Sequence, residues 1–272
     1  MRSYLPTLLL FGILMLLLSV SCEDDNGSED EPEPEVVDPP TKEEPEEPDP
    51  KSFENCSDRS NNIAVEVDGI VIVEAENVVL TDDHWKLNTS LPEYSGEGYI
   101  VWEGPAQFWK GIENIGKTGK LTYKVKISTT GTYQFVWRSY IAKKDPEKPG
   151  TEHNDSWLRI AGADDFFAKK SDGSVVYPKG TGKTPNPAGE NGNGFFKVYM
   201  NIIDKWTWVA GTFDNNFHTI FATFDEAGIY EIEIAPRSDF HAIDRFALFH
   251  SSASGEVAQN VDTQISHIDC EE

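Results

Sequence analysis

Positive charge is scarce in this 272-residue chain. Its 23 Lys and Arg stand against 47 Asp and Glu, a formal net charge of −24. A chain of that sign repels phosphate backbones and anionic headgroups, so no nucleic-acid partner is expected. Cysteine is rare as well, with three residues, and none has the placed His of a cysteine nucleophile. Neither G-x-S-x-G nor H-E-x-x-H occurs. The six His (His84, His153, His218, His241, His250, His267) lack metal-ligand spacing. No internal repeat and no long helical period is present. No apolar run reaches the roughly 20 residues that a membrane-spanning helix takes.

One shorter apolar run does exist. Leu8 to Val20 is almost unbroken and follows the lone cation Arg2, which is the length and flank of a signal-peptide core. Ser19-Val20-Ser21-Cys22 comes next. Small residues before a cysteine resemble the lipobox of bacterial lipoproteins, although Leu18 stands one place earlier than the Leu of that pattern. The resemblance implies a signal peptide over 1–21 and a lipid on Cys22, the new N-terminus. The alternative is an ordinary cleaved signal with a chance cysteine. Glu23, Asp24 and Asp25 resemble the surface-export signal of some Gram-negative lipoproteins. The expected location is therefore the bacterial outer membrane, lipid-anchored and surface-exposed.

Residues 23–50 hold 14 acids, one Lys and seven Pro. Such a segment has almost nothing to bury and repels itself. Residues 22–52 therefore read as a disordered tether, reaching up to ~85 Å near polyproline II at about 3.1 Å per residue. Residues 53–272 form the domain. Cys56 and Cys270 sit at its two ends, and in an oxidising compartment such a pair reads as a disulfide. Two free thiols are the alternative.

Strand patterns fill the domain. Val67-Asp68-Gly69-Ile70 is a two-residue hairpin signature. Leu121, Tyr123, Val125 and Ile127 alternate with polar residues, as do Tyr133, Phe135 and Trp137. Further strands read at 98–102, 156–161, 195–200, 205–209, 218–224, 229–234 (Glu231 and Glu233 outward) and 243–249. Short strands joined by Gly-rich turns predict an all-β fold, a β-sandwich or jelly roll. Loops at 81–97, 141–155 and 178–194 interrupt it, and long loops tend to carry function.

Four segments in order carry a family resemblance. They are Val73-Glu74-Ala75-Glu76-Asn77, Tyr94-Ser95-Gly96-Glu97-Gly98-Tyr99-Ile100, Gly131-Thr132-Tyr133 with Trp137-Arg138-Ser139, and Gly228-Ile229-Tyr230 with Arg237-Ser238 and Ile243-Asp244-Arg245-Phe246. Together they resemble carbohydrate-binding modules of the galactose-binding-like jelly-roll type, near families 6 and 35. The likeness covers about 63–250, with the 141–194 region enlarged. Glu74 and Glu76, two apart on a strand, emerge on one face about 6.6 Å apart. The resemblance implies a structural calcium held by this pair and Asp244. Two solvated glutamates on an outer face are the alternative.

Sugars present apolar C–H faces to aromatic rings and hydroxyls to polar side chains. Two constellations fit. One is Tyr140 with His153, Asn154 and Asp155. The other is Trp206 and Trp208 with Arg237 and His241. Trp85 and Trp109 flank loops and are further candidates. Trp102, Trp137 and Trp157 read as core, and Arg138 as a partner for Asp155. The sequence thus predicts a surface-anchored, non-catalytic polysaccharide-binding lipoprotein with calcium. A glycan-active hydrolase or lyase, or an adhesin binding protein partners, stand as alternatives.

Overall fold

Buried and outward residues alternate along Leu121–Ile127 and His218–Phe224, while Tyr99–Trp102 and nearly all of His241–His250 are buried on both faces. The computed structural model describes residues 54–108, 111–143, 147, 149–189 and 191–271. The expected signal peptide, Cys22, the whole of the tether and Trp109 lie outside the described residues. Among the described residues fifteen strands run in order: β1 (Asn62–Val65), β2 (Ile70–Glu74), β3 (Trp85–Asn88), β4 (Tyr99–Trp102), β5 (Leu121–Ile127), β6 (Gly131–Ile141), β7 (Asp155–Ala161), β8 (Asp165–Lys169), β9 (Val175–Val176), β10 (Phe196–Tyr199), β11 (Gly211–Thr212), β12 (His218–Phe224), β13 (Gly228–Pro236), β14 (His241–His250) and β15 (Ile268–Cys270). One helical turn, α1 (Gly255–Ala258), follows β14.

The strands form one curled mixed sheet that packs against itself as a sandwich. One layer runs β15-β1-β5-β13-β7-β10, and the other holds β12, β6 and β14, flanked by β8, β2 and β4-β3. Short β11 pairs with both β10 and β12 and joins the layers. Among the described strands only β1 and β5 pair in parallel. The Val67–Ile70 turn is a mirror-type hairpin with two mutual 2.9 Å backbone bonds. Asp68 (φ 52) and Gly69 (φ 78) supply the left-handed backbone it needs.

Inward residues of β5 and β13 meet inward residues of β6 and β14 in one core cluster. Tyr123 meets Phe246 edge-on at 5.0 Å, and Phe224 meets Tyr230 at 4.4 Å. Trp102 and Trp137 are sealed in this core, and Trp157 is buried in a smaller cluster with Ile115, Phe195 and Ala235. Each large side chain so buried contributes roughly 1.5–3 kcal/mol over its exposed state. The predicted disulfide is present: Cys56 and Cys270 are bonded, their Cα atoms 5.7 Å apart. It locks β15 beside the first strand, where Cys270 pairs with Asn62.

The structure differs from the sequence reading in several places. Residues 205–209 are not a strand. Thr207 exchanges two backbone bonds with Ser139, at 2.9 and 3.0 Å, but Asp204 at φ 58 turns the chain just before this single bridge. Loop 81–97 contains β3, which pairs along β4. Glu233 does not face water. It is buried because Lys120 and Arg159 both bond its carboxylate and replace its hydration. Arg138 does not reach Asp155. Its Nη1 donates to Asp244 Oδ2 at 2.7 Å, while Asp155 takes Arg237.

Candidate functional site

A large cleft opens on the outer face of the β7–β10 layer, with a volume of about 780 Å³. Side-chain alternation builds it. Phe196 and Val198 of β10 enter the core, so Lys197 and Tyr199 point away from it. On β7, Leu158 and Ile160 point inward, and Asp155 and Trp157 point out. Phe108, Asn154, Asn201, Asp214, Phe217 and Arg237 complete most of the lining. Aromatic faces and paired charges therefore stand side by side.

Asp155 anchors the floor. Arg237 Nη1 lies 2.5 Å from its Oδ2, and the Arg237 guanidinium lies 5.2 Å from the ring centres of Phe108 and Trp157. Ser238 Oγ donates to the Asp155 carbonyl at 2.8 Å. Asp155 Oδ1, although buried, accepts no hydrogen bond from any described residue. Burial pushes the Asp155 carboxyl above its ordinary range, against the opposing pull of Arg237 and Lys197. Lys197 is bonded to Asp214 and lies 5.7 Å from the Tyr199 ring centre. Tyr199 meets Phe217 edge-on at 5.9 Å.

A second cleft, about 460 Å³, lies on the other layer. Tyr99, Tyr140, Asn88, Glu103 and Asp204 line it. Behind them stands Trp206, half-buried and edge-on to both tyrosines at 5.4 Å.

A cluster of three carboxylates lies where β2 meets β14. A β-bulge between Ile243 and Arg245 inserts Asp244 into the ladder and re-aims its side chain. Asp244 Oδ1 accepts from Ser95 N at 2.7 Å, and Oδ2 from Arg138 and from Ser95 Oγ at 2.9 Å. Glu74 is held by Arg245 and by Ser95 Oγ. Glu76 Oε1 accepts from Glu97 N at 2.7 Å, but Oε2 is buried and unbonded among the described residues. Burial, and then the charges of Glu74 and Asp244, push Glu76 up to about 8. Gly96 closes over the cluster at φ 61, where a Cβ would meet Glu76 Oε1 at 2.3 Å.

With two arginines on the other two acids, Glu76 is the carboxylate without a cation. No three His, Cys, Asp or Glu side chains among the described residues stand in a ready coordinating arrangement, and Arg245 and Arg138 bond two of the three acids here. The donor set nevertheless suits a hard cation. Arg138 and Arg245 already neutralise Asp244 and Glu74, and what remains for a cation is the buried Glu76 Oε2, which has no hydrogen-bond partner among the described residues.

The structure splits the residues singled out from sequence. Asn154, Asp155 and Arg237 meet in the large cleft, and His153 lies behind it with Nδ1 2.9 Å from Asp239 Oδ1. Tyr140 lines the second cleft, backed by Trp206. Trp208 is elsewhere, on an apolar patch with Ile72 and Val136. Two residues face inward. His241 meets Trp137 edge-on at 5.3 Å and Ser156 Oγ at 2.8 Å. Trp85 donates its indole N–H to Gly119 O at 2.6 Å and packs edge-on to Trp102. Sequence reasoning missed Phe108, Lys197, Tyr199, Asp214 and Phe217. For Lys197 and Tyr199 the signal was present, since both alternate with core residues on one strand.

No family model and no curated protein matches the chain. Solved structures similar to it include the Podospora anserina GH26-CBM35 beta-(1,4)-mannanase, at 19% identity and a TM-score of 0.38, over 69% of this chain and 29% of that one. The isomalto-dextranase of Arthrobacter globiformis, complexed with panose, is similar at 16% identity and a TM-score of 0.37, over 67% and 24%. A ruminal GH26 endo-beta-1,4-mannanase is similar at 14% identity and a TM-score of 0.33, over 71% and 28%. This chain thus spans less than a third of the length of each.

Proposed function

We propose that this all-β sandwich binds saccharides in its large cleft, without cleaving them, from a lipid anchor at the cell surface. The observation that carries the reading is Asp155. Its buried Oδ1 lacks a donor among the described residues, at the floor of a cleft that also holds aromatic rings, amides and paired charges. A ring hydroxyl supplies that donor. Arg237, Lys197 and Asn154 bond the neighbouring hydroxyls, and Phe108, Tyr199 and Phe217 take the apolar C–H faces. The four family-like motifs point the same way.

Glu74, Glu76 and Asp244 are proposed to hold a calcium ion. The ion would supply the positive charge that Glu76 lacks and tie β2 to β14 at the bulge. The chain's own part is to hold the oxygens in place: Ser95 and Glu97 fix them from one loop, and Gly96 lets that loop approach. The anchor reading rests on the sequence from Arg2 to Asp25. Labelling with a fatty-acid analogue in the native host tests it, and Cys22→Ser should abolish incorporation.

A glycan array probed with pure protein, in calcium and in chelator, tests the binding function. Expected is binding to at least one polysaccharide, weakened by Asp155→Asn. Silence on every glycan in both conditions would refute the proposal. Release of reducing ends or unsaturated products by the pure protein would refute the non-catalytic part.

A further inference from the structure

The charges of the large cleft are unevenly shared. Among its described lining residues three carboxylates, Glu152, Asp155 and Asp214, stand against two cations, Lys197 and Arg237. Each cation already has an acid: Lys197 is bonded to Asp214, and Arg237 to Asp155. A surplus of one negative charge is left. The acids are also the charges that face outward at the mouth. Asp214 is 42% exposed where its partner Lys197 is 9%, and Glu152 is exposed. At the floor, Asp155 Oδ1 accepts no hydrogen bond from any described residue.

A carboxylate oxygen accepts and cannot donate, so its partner must bring a proton. A hydroxyl or an amide N–H brings one. An ammonium brings three, together with the positive charge that the cleft lacks, and such charge-assisted bonds are roughly twice as strong as neutral ones. A ligand carboxylate would meet Glu152 and Asp214 on its way in and find both cations occupied. The chain's net charge of −24 adds a field of the same sign. Phe217, also in the lining, is 39% exposed, and the face of such a ring attracts a cation as well as C–H groups.

We propose that the saccharide of this cleft is an amino sugar, a hexose ring whose protonated amine is held by Asp155 and drawn in by Glu152 and Asp214. The same charges disfavour uronic acids, and neutral rings bind more weakly. The inference rests on the saccharide-binding reading above and names the class of sugar that the cleft takes.

Three β-1,4-linked oligomers of equal length, differing only in the group on the second ring carbon, test it: glucosamine with its amine free, N-acetylglucosamine, and glucose. Oligogalacturonate is the anionic arm. In calorimetric titration at about pH 6, where the amine is protonated, the free-amine oligomer should bind about tenfold or more tighter than the other two. Oligogalacturonate should bind least. Asp155→Asn should shrink that preference, and so should Glu152→Gln at an exposed position. Both variants are read by the ratio of affinities, which a loss of folded protein does not move. Equal affinity for the three oligomers, or tighter binding of the N-acetyl form or the uronate, would overturn the amino sugar and spare the saccharide reading. A preference that survives both substitutions unchanged would place the amine on another acidic surface and overturn the assignment to this cleft. Silence of all four ligands beside binding to another glycan would overturn the amino sugar alone, and silence on every glycan would overturn both readings.

Discussion

Asp155 and Arg237 meet at the floor of the large cleft, with Nη1 2.5 Å from Oδ2. The pair is nearly out of water, the side chains being 5% and 16% exposed. Removing one charge of such a pair costs more than the pair itself contributes, because the other charge stays behind. Asp155→Asn keeps the shape and drops the charge. Its expected cost is about 3 kcal/mol of unfolding free energy, read from urea denaturation. Saccharide affinity should fall by about tenfold or more in the same protein. Full affinity alongside the lowered stability would move the sugar out of this cleft.

Trp85 offers the opposite test. It was a candidate platform in the sequence, yet the structure seals it against Trp102, with its N–H on Gly119 O. Trp85→Phe removes that hydrogen bond and part of the packing. A stability loss of about 1–3 kcal/mol is expected, with saccharide binding unchanged. Weaker binding at unchanged stability would show that the ring works at the surface.

These two residues mark what could be read without coordinates. Strands with strict alternation, such as 121–127 and 218–224, were legible because one face is core and the other is not. The bounds of β5 and β12 coincide with that pattern. Trp85 was not legible, since its partner Gly119 is distant in sequence and only the fold brings them together. The charged residues failed for the same reason. Arg138 has several acids at hand, and the bulge at Asp244 decides which one it meets. The cleft was half legible: Asn154 and Asp155 stood in a suspicious loop. Lys197 and Asp214 belong to segments that the short β10–β11 pairing brings together, Tyr199 opposite Gly211, with Ala188 O of loop 178–194 accepting from Asp214 N at 3.2 Å.

The disulfide gives a third test. Cys56 and Cys270 close a loop across a separation of 214 residues, and so constrain the unfolded chain strongly. Cys56→Ser with Cys270→Ser should lower stability by about 2–5 kcal/mol. Local exchange should rise first at β15 and β1, which the bond holds together. The exported wild-type protein should show neither thiol to an alkylating reagent before reduction. Two alkylated thiols in the native protein would contradict the bond.

Glu76 sets a pH dependence of definite sign. Its folded-state carboxyl is pushed up to about 8 by burial and by its acidic neighbours, whereas an unfolded glutamate titrates near its ordinary value of about 4.3. Between these limits the native protein holds a proton that the unfolded chain has lost. The stability linked to that proton is complete below the unfolded value and disappears as pH rises through the folded one. In chelator, the melting temperature of the wild type should therefore drop from about pH 5 to about pH 8 more steeply than that of Glu76→Gln. Calcium favours the charged carboxylate, so its stabilising increment should grow across the same window and vanish in the Gln variant. Scanning calorimetry of both proteins, with calcium and with chelator, reads all four curves. Parallel curves for the two proteins in chelator would show that Glu76 does not carry the buried proton. An equal calcium increment in both would show that the cation sits elsewhere.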